Sequence, residues 1–252
     1  MSGPEAGGAP APRAKGASGD RNEECAPGLR RAARIYWIGG SFGGVGKSLV
    51  AMAVLDCLQG NGRPTVLVEA DSQVPDVWKA YHGGLSTECL DLRKAEGWID
   101  LISACSEQPD GVFVVNTPPG LGPAVRKYGT MLDGALEELR REVVGLWAVD
   151  RRGVGEGLQE FMESMPRAIT HVVRNAYGGG TSLGTSPTFG ERAEGETGAA
   201  LVLPRLADEV TDALYSRRLS IDRALGELSP GARAELVRWR QETRRGLGRL
   251  IR

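Results

Sequence analysis

The chain contains the run Ile35-Tyr36-Trp37-Ile38-Gly39-Gly40-Ser41-Phe42-Gly43-Gly44-Val45-Gly46-Lys47-Ser48, an apolar segment followed by a glycine-rich loop. The apolar segment predicts a buried strand, and the apolar residues at 48–59 predict a helix directly after the loop. Glycines leave the backbone N–H groups of such a loop accessible, and the start of the next helix favours an anion. The sequence therefore predicts a phosphate-binding loop at a strand-to-helix junction. The alternative is a glycine-rich turn without a ligand, and both flanking segments argue against it.

The residues of this loop have expected roles in binding a nucleotide. Lys47 would reach the β- and γ-phosphates, and the Ser48 hydroxyl would be a ligand of Mg²⁺. Lys47 is therefore also a candidate catalytic residue, and ATP and Mg²⁺ are the expected cofactors. The residues predicted to bind the nucleotide here are Gly43, Gly44, Val45, Gly46, Lys47, Ser48 and Leu49.

Composition limits the class of protein. The 252 residues, 41% of them hydrophobic, are enough for one substantial α/β core. A formal net charge of −1 gives no overall attraction to nucleic acid or to an anionic membrane. The four cysteines are scattered, without a Cys-x-x-Cys pair, which fits a reduced compartment. No apolar run approaches the roughly twenty residues of a membrane span, so we expect a cytoplasmic protein without a transmembrane segment.

Three regions are predicted along the chain. Residues 1–34 are rich in Ala, Gly and Pro and predict a disordered tail, residues 35–228 a nucleotide-binding domain, and residues 229–252 a basic C-terminal helix. Buried strands are predicted at 65–70, 111–115, 143–149, 169–173 and 199–203. Helices are predicted at 95–105, 130–142, 155–165, 206–215, 221–225 and 230–251. Alternating strands and helices predict a three-layer α/β sandwich with a mostly parallel sheet, of the P-loop NTPase type.

The sequence allows two interpretations for each of two further segments. Residues 176–198 are rich in Gly, Ser and Thr and predict either a mobile flap or a partner-binding loop. The C-terminal segment predicts either a helix packed on the domain or a basic amphipathic helix that meets a membrane or nucleic-acid phosphates. Its arginines are Arg233, Arg238, Arg240, Arg244, Arg245, Arg249 and Arg252.

The loop at 42–48 resembles the variant phosphate-binding loop of the MinD/ParA (CobQ/CobB/MinD/ParA) group of P-loop ATPases. Later segments, Glu69-Ala70-Asp71-Ser72-Gln73 and Asn116-Thr117-Pro118-Pro119-Gly120, resemble motifs of the same group. The resemblance implies that Asp71 is the second catalytic residue, which orders the attacking water or a water on Mg²⁺. It also implies that the segment with Asn116 and Gly120 responds to the γ-phosphate of the nucleotide. Asn175 would form hydrogen bonds with the edge of the adenine base.

The loop departs from the family pattern at Phe42, which stands where the group has a signature lysine that reaches the partner's nucleotide across a dimer. Asn116 likewise replaces an aspartate that supports the water shell of the metal. Both departures imply slow hydrolysis.

The resemblance implies a nucleotide switch that binds ATP, hydrolyses it slowly and acts on a protein or DNA partner, as in the plasmid partition or mobilisation branch. A nucleotide-dependent homodimer is a further expectation. The alternatives are an ATP-dependent enzyme that activates a small carboxylate, as dethiobiotin synthetase and cobyrinate amidase do, and a nucleotide-binding adaptor that does not hydrolyse ATP.

Overall fold

The structure, a computed structural model, describes residues 33–178 and 198–251. Most of the predicted tail at 1–34 and most of the predicted flap or loop at 176–198 lie outside these residues. The described strands are β1 Ala33–Gly39, β2 Thr65–Glu69, β3 Ser86–Cys89, β4 Val112–Asn116, β5 Arg141–Val149, β6 Ile169–Asn175 and β7 Gly198–Leu203. The described helices are α1 Lys47–Gly60, α2 Asp76–Tyr81, α3 Ala95–Glu107, α4 Gly122–Leu139, α5 Gly157–Ser164, α6 Asp208–Ser216, α7 Ile221–Glu227 and α8 Pro230–Leu247.

The seven strands form one parallel sheet in the order β3-β2-β4-β1-β5-β6-β7. β1 lies in the middle, between β4 and β5. The helix that follows β1 packs on one face of the sheet, whereas the helices that follow its neighbours β4 and β5 pack on the other face. Such a divergence opens a crevice at the carboxyl ends of the strands, where ligands of α/β proteins bind. The phosphate-binding loop begins at this crevice.

Helices cover both faces of the sheet and bury two apolar clusters. One cluster joins the sheet to α1, α2 and α6–α8 and includes Met52 and Trp239. The other joins the opposite face to α3–α5 and includes Trp98 and Phe161, which both stack on Trp37. The predicted three-layer α/β sandwich with a parallel sheet is confirmed.

The C-terminal helix α8 packs into the first cluster through Leu236 and Trp239, which are fully buried. Arg240 and Arg244 of this helix bond to the buried carboxylate of Asp56 in α1, with N–O distances of 2.8–3.0 Å. The structure therefore shows the packed alternative for this segment. No helix within 33–178 or 198–251 is both long and apolar enough to cross a membrane.

Two short elements and several boundaries differ from the sequence prediction, and the largest boundary difference is that of α4. The helix predicted at 130–142 is α4, which starts earlier, with Pro123 in its first turn, and ends before Arg140, whose φ is 52°. Arg141 already belongs to β5, where its buried guanidinium donates to the carbonyls of Gly111 and Cys105. α2 and β3 were missed because segments of six and four residues carry too little periodicity.

Candidate nucleotide-binding site

A cavity of about 450 Å³ opens beside the loop between β1 and α1. Residues from the ends of β2, β4 and β6 and from α6 complete its wall. The predicted site residues that line it are Gly43, Gly44, Gly46, Lys47, Ser48, Leu49, Asp71 and Asn175. The structure therefore brings together most of the residues that the sequence singles out.

The backbone of the loop requires glycine at two positions. Gly44 has a φ of 75° and Gly46 a φ of 98°, values that side chains disfavour. A Cβ atom on Gly46 would also overlap the amide nitrogen of Asn175. α1 starts at Lys47 without a side-chain cap, so its first-turn N–H groups are left for an anion.

Lys47 is turned back onto its own loop. Its Nζ donates to the carbonyl of Phe42 at 2.9 Å, and the side chain is buried. Burial lowers the pKa of Lys47 to about 8, against the opposing effect of Asp71, and Arg152 lowers it further. The loop therefore holds a lysine whose charged form is destabilised until an anion arrives.

Polyphosphate binding is expected to draw a proton onto Lys47. With the pKa of Lys47 near 8 in the free protein, a bound phosphate that raises it causes uptake of roughly half a proton at pH 8. Calorimetric titration with ADP in two buffers of different ionisation enthalpy measures this uptake. Lys47→Arg is the control, because its guanidinium is already charged at that pH. An enthalpy that changes with buffer equally in parent and variant would contradict the assignment.

Ser48 and Asp71 are the candidate ligands of a metal and its water shell. Both line the cavity, and Oδ1 of Asp71 accepts hydrogen bonds from the N–H groups of Gln73 and Val74, each at 3.1 Å. A hydroxyl and a carboxylate are hard oxygen donors, which suit Mg²⁺ held together with nucleotide phosphates. No group of three or more His, Cys, Asp or Glu residues able to hold a metal is found among the residues that the structure describes. The donor set therefore fits Mg²⁺ that arrives with a phosphate ligand.

Asn116 is not in the cavity wall where the sequence analysis placed it. It is buried behind Asp71, and its Nδ2 donates to Oε1 of Glu69 at 2.9 Å. Glu69 also accepts from the backbone N–H groups of Asp71 at 3.2 Å and Trp78 at 3.3 Å. Burial raises the pKa of Glu69 to about 7, although these hydrogen bonds lower it. The pair thus supports the Asp71 turn from within the protein, and the sequence analysis gave Glu69 no part in the site.

Gly120 does not line the cavity that contains Lys47 and Ser48. With a φ of 70°, it lines a second cavity of about 570 Å³ together with Ser41 and Phe42. Thr117 lines both cavities. The two cavities thus adjoin at Thr117, and the role of Gly120 in sensing the γ-phosphate stays a prediction.

Asn175 lines the cavity beside the phosphate-binding loop, which we call the nucleotide cavity, but its side-chain amide is hydrogen-bonded to the protein backbone. Its Nδ2 donates to the carbonyl of Val45 at 3.2 Å, and its Oδ1 accepts from the N–H of Tyr177 at 3.1 Å. Val45 itself lies outside the cavity wall, and its side chain is buried in the apolar cluster that contains α1. In this geometry Asn175 supports the phosphate-binding loop, and its role in reading the adenine edge stays a prediction.

Several residues of the cavity wall were not predicted from the sequence. Tyr177 is half-exposed there, two residues after Asn175, and α6 adds Thr211 and Tyr215. Tyrosine offers both an apolar ring and a hydroxyl, which suits contact with a nucleoside. Tyr177 could have been found from the sequence, because it lies two residues after the predicted site residue Asn175. No local sequence pattern indicates that residues of α6 belong to the cavity wall.

Comparison with known proteins gives one relative in sequence and several in structure. The chain is 44% identical over 230 residues to Protein MobD of Acidithiobacillus ferrooxidans, a match that covers 87% of this chain and 99% of that protein. It resembles the MinC:MinD cell division protein complex of Aquifex aeolicus with a TM-score of 0.52 and 16% identity, over 86% of this chain and 96% of that one. It resembles MinD with Mg-ADP from Pyrococcus horikoshii with a TM-score of 0.50 and 14% identity, over 83% and 95%. No family model matches the sequence.

Proposed function

The chain belongs to the family of Protein MobD and has the fold of the MinD ATPases, and on this basis we propose that it is an ATP-dependent nucleotide switch. It binds ATP with Mg²⁺, hydrolyses it slowly and acts on a protein or DNA partner in plasmid mobilisation or partition. The observation that carries the proposal is the left-handed glycine loop that presents Lys47 and Ser48 to a cavity shared with Asp71. The nucleotide orders the loops around this cavity and so changes the affinity for the partner.

Slow hydrolysis is supported by two residues that border the site without lining its cavity. Phe42 offers no charge to the phosphates, and Asn116 contributes no carboxylate beside Asp71. The identity with MobD favours the mobilisation branch, and the MinC:MinD complex is a precedent for a protein partner on this fold. A cytoplasmic location and a nucleotide-dependent homodimer are part of the same proposal.

Nucleotide binding is tested by calorimetric titration of the full chain with ATP, ADP and GTP, with and without Mg²⁺. We expect ATP and ADP to bind, and to bind more tightly with Mg²⁺ because Ser48 and Asp71 complete its coordination. Light scattering of each complex then reports the oligomeric state. Absence of binding by all three nucleotides would contradict the proposed function.

The role of Asp71 is tested by hydrolysis. Asp71→Ala is expected to lower the ATPase rate by about a hundredfold, because a positioned carboxylate typically contributes this much. Its affinity for ADP without Mg²⁺ should stay within about twofold of the parent, since the phosphate-binding loop is untouched. Asp100→Ala removes an exposed carboxylate on α3 and serves as the control. Equal rates in Asp71→Ala and the parent would remove Asp71 from its assigned role.

The second cavity favours one alternative function, an ATP-dependent enzyme that activates a small carboxylate. This cavity adjoins the phosphate-binding loop and contains Arg126, which pairs with Glu160 at 2.9 Å. ATP turnover stimulated by small carboxylic acids, but not by DNA or protein, would select this enzyme. Tight ATP binding with no ADP formed over a long incubation would instead select the non-hydrolysing adaptor.

A further inference from the structure

The loop that joins β5 to α5 packs against the outer side of the phosphate-binding loop. Ser41 Oγ donates to the carbonyl of Val154 at 2.6 Å. The next residue, Phe42, lies under the guanidinium of Arg152, 5.0 Å from Cζ to the ring centroid. Nη2 of Arg152 then donates to the carbonyl of Gly43 at 2.8 Å. Three consecutive residues of the phosphate-binding loop are therefore held by one neighbouring loop.

Asp150 fixes the guanidinium of Arg152. Its carboxylate accepts from Nε at 2.9 Å and from Nη2 at 2.7 Å, and also from the backbone N–H of Arg152 at 2.9 Å. The turn closes where Gly153, with a φ of 84°, donates its N–H to the carbonyl of Asp150 at 3.0 Å. These bonds lower the pKa of Asp150 and raise that of Arg152, so both groups stay charged. Arg152 is thus held in place although its side chain is 45% exposed.

The bond to Gly43 sets the orientation of a peptide group in the loop. In a trans peptide the C=O and the following N–H point in opposite directions, so the carbonyl of Gly43 and the N–H of Gly44 do too. A carbonyl that faced a polyphosphate would repel it, whereas an N–H attracts it. Arg152 is outside the wall of the nucleotide cavity and holds this carbonyl from there. Lys47 Nζ holds the preceding carbonyl, that of Phe42, in the free protein.

We propose that Arg152, fixed by Asp150, is a positioning residue that keeps the carbonyl of Gly43 turned away from bound polyphosphate. The inference rests on the proposed function and deepens it by naming a residue outside the cavity that tunes nucleotide affinity. Arg152 acts through the backbone cradle, which holds the phosphates that ADP and ATP share. It therefore affects both nucleotides equally.

The experiment measures the affinities of ADP and ATP, with Mg²⁺, by calorimetry for the parent, Arg152→Ala and Arg151→Ala. Arg151 is the matched control, because its loss removes the same charge from the next position, where no bond to Gly43 is found. Arg152→Ala is expected to weaken ADP and ATP alike by about tenfold, the usual effect of one lost charge-assisted hydrogen bond. Arg151→Ala should stay within about twofold of the parent. Loss of ATP affinity alone would overturn the proposal, since Arg152 would then contact the γ-phosphate directly.

Two other roles of Arg152, a long-range effect of its charge and a purely structural role, predict different results. Equal losses in the two variants that vanish at high salt would show a long-range charge and overturn the proposal. A fall in thermal midpoint of Arg152→Ala with unchanged affinities would show a structural role and overturn it as well. Arg152→Lys keeps the charge without the bidentate bond to Asp150, so we expect it to recover part of the affinity. If the parent binds neither nucleotide, both the proposed function and this inference are wrong. If the parent and Arg152→Ala bind the nucleotides equally, only the inference is wrong.

Discussion

Trp239→Ala is expected to lower the free energy of unfolding by about 3–5 kcal/mol, the usual cost of removing a buried aromatic side chain. Trp239 of α8 is fully buried in the cluster that includes α1, and its Nε1 donates to the carbonyl of Pro204 at 2.8 Å. Alanine leaves a cavity there and an unpaired carbonyl. Urea denaturation followed by far-ultraviolet circular dichroism measures the change without relying on tryptophan fluorescence.

The matched control for this prediction is Val237→Ala on the same helix. Val237 is 37% exposed, so its truncation should cost no more than about 1 kcal/mol. A loss in Trp239→Ala as small as that in Val237→Ala, about 1 kcal/mol or less, would show that α8 contributes little to the apolar cluster it shares with α1. In that case the basic, partner-facing alternative for the C-terminal segment would regain support.

The sequence predicts the phosphate-binding loop well because its determinants are local. Left-handed φ angles at Gly44 and Gly46, the strand before them and the helix after them all depend on residues adjacent in the chain. The long apolar strands are recognisable for the same reason, since burial on both faces requires a continuous apolar run. Local determinants therefore fix the fold class and the position of Lys47 and Ser48.

The environment of Asn116 depends instead on the register between two strands. Glu69 and Asn116 lie 47 residues apart and become neighbours only because β2 pairs with β4 in that register. Single-sequence patterns carry no information about this pairing, so the burial of Asn116 could not be predicted. The same applies to Arg152, which meets Gly43 across 109 residues of chain.

Asn116→Asp is the second prediction with a large expected effect. The substitution replaces a donor by a carboxylate oxygen, 2.9 Å from Oε1 of the buried Glu69. Two carboxylates at this distance cannot both be ionised, so the pair holds a proton well into the alkaline range. We expect the free energy of unfolding at pH 8 to fall by about 3–5 kcal/mol, the range for an uncompensated buried charge.

The sign of the pH dependence follows from the bound proton. Burial already raises the pKa of Glu69 from 4.5 to about 7, so the folded parent holds this proton more tightly than the unfolded chain. Stability from this group is therefore present below the unfolded value and is lost as the pH rises through about 7. In Asn116→Asp the loss should extend to higher pH, and the difference from the parent should be smaller at pH 5.5 than at pH 8. Urea denaturation at both pH values measures it.

The double variant Glu69→Gln with Asn116→Asp is the control, because it exchanges the amide and the carboxylate between the two strands. The amide introduced on β2 would donate to the new carboxylate on β4, so one negative charge remains in the pair. Because the same amide nitrogen can no longer accept from the N–H of Asp71, only part of the lost stability should return. A double variant no more stable than Asn116→Asp alone would show that repulsion between the two carboxylates did not cause the loss. If position 116 also supports the water shell of the metal, the double variant should bind ADP more tightly in Mg²⁺ than the parent does. Equal Mg²⁺ dependence in both would place the metal's support at Ser48 and Asp71 alone.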